Sequence, residues 1–109
     1  MTRVGLDHLT DRLGEEAEWA TVLSGSEQQR IAFARALIAR PDVLLLDEAI
    51  TTLNEDDGRD LYRVLVRQLP ATITISTGRS AALASVHKRA IEMHRTVSCA
   101  GAAVAAVPA

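Results

Sequence analysis

At 109 residues the chain is long enough for one domain with a modest core, and nothing in it suggests two independent ones. A net charge of −2 without any basic run argues against nucleic acid as a partner. Cys99 is the only cysteine, which excludes an internal disulfide, and neither a signal peptide nor a stretch near the ~20 apolar residues of a membrane span is present, so a soluble chain in a reducing, cytosolic environment is expected.

In chain order, Val4, Leu6, Leu9 and Leu13 stand among charged residues between Gly5 and Gly14, which predicts a short helix over 6–13 and then an acidic connector over 15–18. Trp19 is expected to anchor that connector against a core, since a lone aromatic beside apolar neighbours usually packs; stacking on a nucleotide base is the rarer use. Ser24, Gly25 and Ser26 followed by Glu27 form a helix-start signal, because small hydroxyl residues cap free amides and an early Glu suits the positive helix end. Ile31, Ala34, Leu37 and Ile38 recur at helical spacing until Arg40 and Pro41, predicting a helix over 26–39 whose N-terminus could receive an anion.

The run Val43, Leu44, Leu45, Leu46 reads as a strand buried on both faces of a parallel sheet, with Asp47 and Glu48 at its end. A loop over 51–57 leads into a helix over 55–69 with a stripe of Leu61, Val64, Leu65 and Leu69, closed by Pro70. A second strand over 72–76, a short helix over 80–86 and a third strand over 90–94 complete an α/β alternation that predicts a parallel sheet. The Ala-rich, almost uncharged stretch 96–109 is expected to be a disordered tail.

The segment Leu23-Ser24-Gly25-Ser26-Glu27-Gln28-Gln29-Arg30, then Ala34-Arg35-Ala36-Leu37, Pro41 and the apolar run ending in Asp47-Glu48, resembles the signature motif and Walker B strand of ATP-binding cassette (ABC) transporter ATPases. Leu61-Tyr62 and Ile75-Ser76-Thr77-Gly78-Arg79-Ser80 are further similar to fused permease-ATPase exporters of the peroxisomal fatty-acyl and bacterial peptide-uptake type. The resemblance spans about residues 4–93 and implies the C-terminal part, 1–95, of an ABC ATPase domain: a partial P-loop NTPase (RecA-like) parallel sheet with part of the ABC helical subdomain.

It also implies roles. Asp47 would hold Mg²⁺, a hard cation that favours carboxylate oxygens while bridging phosphates. Glu48 would act as general base toward the attacking water. Standing alone, an Asp-Glu pair more often just ends a strand; the signature upstream is what favours the catalytic reading. Ser24, Gly25, Ser26 and Glu27 would meet the terminal phosphate of ATP held by the opposite subunit of a head-to-tail dimer, and Asn54 would stand in the D-loop. Gln28 and Gln29 follow the family pattern but read equally well as solvated helix-face residues. The partners implied are a permease and a second ATPase domain, and the location is the inner face of the plasma membrane, reached only through the permease.

Four positions depart from the family pattern. Ser26 replaces the second signature Gly, Asn54 replaces the D-loop Asp, Ile50 stands in the usually small or Pro-containing segment after Glu48, and Arg79 occupies the place of the switch histidine. Arg79 can attract a phosphate but cannot accept a hydrogen bond as neutral His does. His87 lies further on and is expected to pack or be solvated. The 109 residues contain no Gly-rich loop ending in Gly-Lys-Ser or Gly-Lys-Thr, so the cradle for the inner phosphates is not among them. The expectation is therefore a truncated or split ATPase, inactive alone and dependent on a complementary half for ATP and Mg²⁺. The alternative is a degenerate remnant or interaction module.

Overall fold

The structure, a computed structural model, describes residues 2–94 and 103–108. Two 3₁₀ turns, Thr2–Val4 and Asp7–Arg12, open the chain where a helix over 6–13 is predicted, and they place Val4, Leu6 and Leu9 in the core. One turn of helix, α1 (Trp19–Val22), follows the acidic connector. Trp19 packs partly buried against the core, with the Arg12 guanidinium 4.9 Å from its ring centroid.

Helix α2 (Gly25–Ala39) begins at a full capping box and ends where Arg40 turns left-handed (φ 46°) and donates its N–H to Ala36 O. Pro41 then keeps the chain from continuing as helix. The core face of α2 is not quite the one the spacing predicts: Phe33 is its fully buried residue, whereas Ile38 is 83% exposed. Phe33 wins the central place because it meets Tyr62 edge-on, ring centroids 5.5 Å apart.

Strand β1 (Val43–Asp47) pairs in parallel with β2 (Ile73–Thr77), Val43 opposite Ile73 through Asp47 opposite Thr77. Between them α3 (Glu55–Gln68) starts at Asn54, whose Oδ1 accepts the Asp57 amide, and runs with Leu61, Tyr62 and Leu65 buried. Leu44 and Leu46 face this core. The prediction that β1 is buried on both faces needs correction: Val43, Leu45, Ile73 and Ile75 are all more than half exposed, because the described elements cover one side of the pair only.

Helix α4 (Ala81–Val86) packs against α3 and contributes Leu83 to the core. Strand β3 (Arg89–His94) does not join the parallel pair as the alternation suggests. It pairs antiparallel with β4 (Ala103–Pro108), Arg89 opposite Pro108 through His94 opposite Ala103. The disordered tail expected over 96–109 thus holds a strand at 103–108; the remainder of that stretch lies outside the described residues. With its β1–α3–β2 crossover and parallel register, the chain is α/β, consistent with a partial P-loop NTPase sheet. No helix among the described residues is long and apolar enough to cross a membrane.

Candidate functional site

Asp47 and Glu48 leave the carboxyl end of β1 beside Thr77, the last residue of β2, a position where open α/β sheets bind ligands. The Thr77 hydroxyl donates to Asp47 Oδ1, fixing that carboxylate while leaving its other oxygen available. Glu48 adopts a left-handed backbone (φ 48°), and its N–H is held by both the carbonyl and the hydroxyl oxygen of Thr77 at 3.3 Å. A non-glycine residue in that region costs roughly 1–2 kcal/mol, so the neighbouring strand must fix this conformation. Both acidic residues are exposed.

Glu48 and Arg79 line one cleft of about 310 Å³, together with Thr51, Glu55, Thr77 and Gly78, and with Ile50 and Leu83 on its apolar wall. Ile50 is buried, and it fits because Gly58 faces it: a β-carbon on Gly58 would sit 2.9 Å from Ile50 Cδ1. The departure at Ile50 is thus absorbed by a glycine on α3.

The signature residues sit elsewhere, at the N-terminus of α2. Ser24 Oγ accepts the Glu27 amide at 3.3 Å and donates to Glu27 Oε2 at 2.9 Å, while the Ser24 amide donates to the same carboxylate oxygen at 2.8 Å. Ser26 turns its hydroxyl to Ser24 Oγ at 3.1 Å. His8 Nε2 meets Glu27 Oε1 at 2.7 Å. The Ser24 amide foremost, then His8 and the Ser24 hydroxyl, hold the Glu27 carboxyl below the usual carboxylate range. The capping box leaves the Gly25 and Ser26 amides for any anion that approaches this helix end.

Of the predicted site residues, the structure therefore brings Glu48 and Arg79 into one cleft, ties Asp47 to that cleft only through Thr77, keeps Ser24, Gly25, Ser26 and Glu27 on a separate turn, and uses Asn54 to cap α3. Two residues that read as solvated helix face carry contacts instead. Gln28 Nε2 donates to the Ala20 and Leu23 carbonyls, and Gln29 reaches the segment after Glu48. Their identity gave no signal, since a glutamine's partner lies in another segment and only the folded chain specifies it. His87 is half-buried: its Nε2 pairs with Ser76 Oγ at 2.9 Å, its ring meets Tyr62 edge-on at 5.8 Å, and burial lowers its pKa.

The donor set suits magnesium bound with phosphates rather than a metal caged by protein alone. Asp47 offers one accessible carboxylate oxygen, and no group of three or more His, Cys, Asp or Glu converges among the described residues. Mg²⁺ keeps several waters and typically takes one or two carboxylates plus substrate phosphates.

Comparison with known proteins bears on these segments. The family described as ABC transporter matches residues 1–51, the part that ends just beyond Asp47 and Glu48. An uncharacterised ABC transporter ATP-binding protein of Haemophilus influenzae is 38% identical over 89 residues, 82% of this chain and 15% of that protein. ABC transporter D family member 2, chloroplastic, of Arabidopsis thaliana is 36% identical over 96 residues, 85% of this chain and 13% of the relative. The inner membrane ABC transporter ATP-binding protein YddA of Escherichia coli is 37% identical over 70 residues, 64% of this chain and 12% of its own length. The chain therefore spans about a seventh of the length of these curated relatives. Read with the parallel strand pair and the capped α2, these similarities show that the chain belongs to the ABC transporter ATPases, as part of an ATP-binding domain.

Proposed function

We propose that this chain supplies the signature and Walker B elements of an ABC transporter ATPase, and that residues outside it supply the loop for the inner phosphates. The observation that carries the reading is the meeting of Glu48 and Arg79 in one cleft at the carboxyl end of a parallel strand pair, with the adjacent Asp47 pinned by Thr77 of that cleft. Asp47 would hold Mg²⁺, which supplies charge neutralisation on the phosphates when bound. Glu48 accepts the proton of the water that attacks the terminal phosphorus as the bond to the ADP oxygen breaks. Arg79 attracts the phosphate oxygens but only donates hydrogen bonds, so the orientation of that water falls to Glu48 alone.

Ser24 and the amides of Gly25 and Ser26 form the second contact surface. They lie apart from the Glu48 cleft, an arrangement that suits ATP held across a head-to-tail dimer, each α2 N-terminus serving the opposite subunit's nucleotide. Glu27 is part of that turn, and its charge is already satisfied by Ser24 and His8 rather than aimed at the ligand. Asn54 acts as the cap of α3, so its D-loop role is to shape the subunit boundary. The assembly works at the inner face of the plasma membrane through a permease.

A second reading is an inactive interaction module. The open apolar face of β1 and β2 favours it, as does the engagement of the Ser24 hydroxyl by Glu27. Nucleotide titration separates the two. The isolated chain should show no micromolar ATP binding, and a domain completed with a Gly-Lys-Ser- or Gly-Lys-Thr-bearing half should bind Mg-ATP and hydrolyse it. Retention of hydrolysis in Glu48→Gln would refute the assignment of the base.

A further inference from the structure

The side chain of Gln29 joins the first turns of α2 to the residues just behind Glu48. Gln29 Nε2 donates to Thr51 Oγ1 at 3.1 Å, and Gln29 Oε1 accepts the Thr52 amide at 3.3 Å. One turn earlier, Gly25 makes room for the same segment: a β-carbon there would lie 3.3 Å from Thr52 Cγ2. The far end of the segment is tied independently. Arg30 donates to Val4 O at 2.9 Å and to Asp57 Oδ2 at 2.8 Å, and that carboxylate oxygen also accepts Asn54 Nδ2 at 3.2 Å. The carboxamide serves both partners at once, its NH₂ donating to the threonine hydroxyl and its oxygen accepting the backbone amide.

We propose that Gln29 is a positioning residue that couples the phosphate-facing turn at Ser24 and Gly25 to the segment carrying Glu48. It touches neither nucleotide nor the reacting atoms. Through Thr51 and Thr52 it makes the seating of α2 and the aim of Glu48 one event rather than two. The inference rests on the ATPase reading above. Gln28, its neighbour, points back to Ala20 and Leu23 and serves as the internal control.

The test has two arms. In the free 109-residue chain, amide exchange by NMR reads the Thr52 N–H directly: Gln29→Met should accelerate it severalfold, Gln29→Glu should keep most of the protection because its carboxylate still accepts both partners, and Gln28→Met should leave it unchanged. In the completed ATPase, Gln29→Met should lower kcat roughly tenfold or more with KM for ATP within about twofold, as expected when a catalytic group is misplaced without loss of binding. Gln29→Glu should recover most of kcat. Unchanged Thr52 exchange in Gln29→Met overturns the clamp, and full turnover by Gln29→Met overturns the coupling while leaving the ATPase reading intact. Absence of turnover from the wild-type assembly overturns the ATPase reading, and the coupling with it.

Discussion

Ser24 does structural work before any ligand arrives. Its hydroxyl and amide close a capping box with Glu27, so Ser24→Ala should lower folding stability by about 1 kcal/mol in urea unfolding, and Ser24→Asp, which keeps an accepting oxygen, should not. The same box fixes a pH dependence. Because the folded state holds the Glu27 carboxyl below its ordinary range, its contribution is present above the unfolded value and is lost as pH falls through the folded one. Glu27→Gln should therefore flatten the acid limb of stability against pH.

His87 acts with the same sign by another cause. Burial disfavours its imidazolium, so the unfolded chain takes up a proton at a higher pH than the folded one. Its share of stability is intact above its ordinary 6.5 and declines as pH falls below that. His87→Gln, which can still reach Ser76 Oγ, should remove that slope, as measured by urea midpoints across the range.

At the scale of elements, α3 carries the core. Leu65 is fully buried, and Leu65→Ala should cost roughly 2–5 kcal/mol, enough to unfold a small domain. Tyr62 is equally buried, yet its hydroxyl lacks a hydrogen-bond partner; the Ser76 hydroxyl lies close enough to offset slightly the rise in its pKa from burial, but is itself engaged by His87. Tyr62→Phe should then be neutral or stabilising by about 1 kcal/mol in thermal unfolding.

How far these elements can be read from sequence follows from where their signals lie. The bounds of α2 and α3 are set by local chemistry, a capping box before one, Asn54 before the other and Pro41 and Pro70 beyond them, so both stand within a residue or so of expectation. The parallel pair is legible because Val43 to Leu46 and Ile73 to Ile75 are apolar or β-branched. What is not local is not legible. Phe33 displaces Ile38 from the core only because Tyr62 arrives from another helix. The antiparallel partner of β3 is an alanine-rich stretch without alternation, and the Gln29 clamp joins residues more than twenty positions apart. In the site, residue types announce Asp47 and Glu48, but the left-handed turn at Glu48 depends on Thr77 of the neighbouring strand.

At the scale of the whole molecule, the parallel pair is open on one face among the described residues. The chain's radius of gyration is 16.3 Å, above the roughly 13 Å of a compact domain of this length. Parallel sheets are stable when both faces are covered, and here Val43, Leu45, Ile73 and Ile75 meet solvent. Such a patch favours association. Leu45→Lys should reduce self-association of the isolated chain in sedimentation while shifting its unfolding free energy by less than about 0.5 kcal/mol, since the side chain is 70% exposed.

In the proposed ATPase, Glu48 at the end of β1 serves as the base of a nucleotide site completed by residues beyond this chain. The most direct measurement of that role is ATP turnover by the 109-residue chain alone, by the chain assembled with a phosphate-loop-bearing half, and by that assembly carrying Glu48→Gln. No turnover is expected from the chain alone, hydrolysis from the assembly, and retained Mg-ATP binding with hydrolysis abolished in the variant. Turnover by the chain alone, or an assembly whose hydrolysis survives Glu48→Gln, would contradict that role.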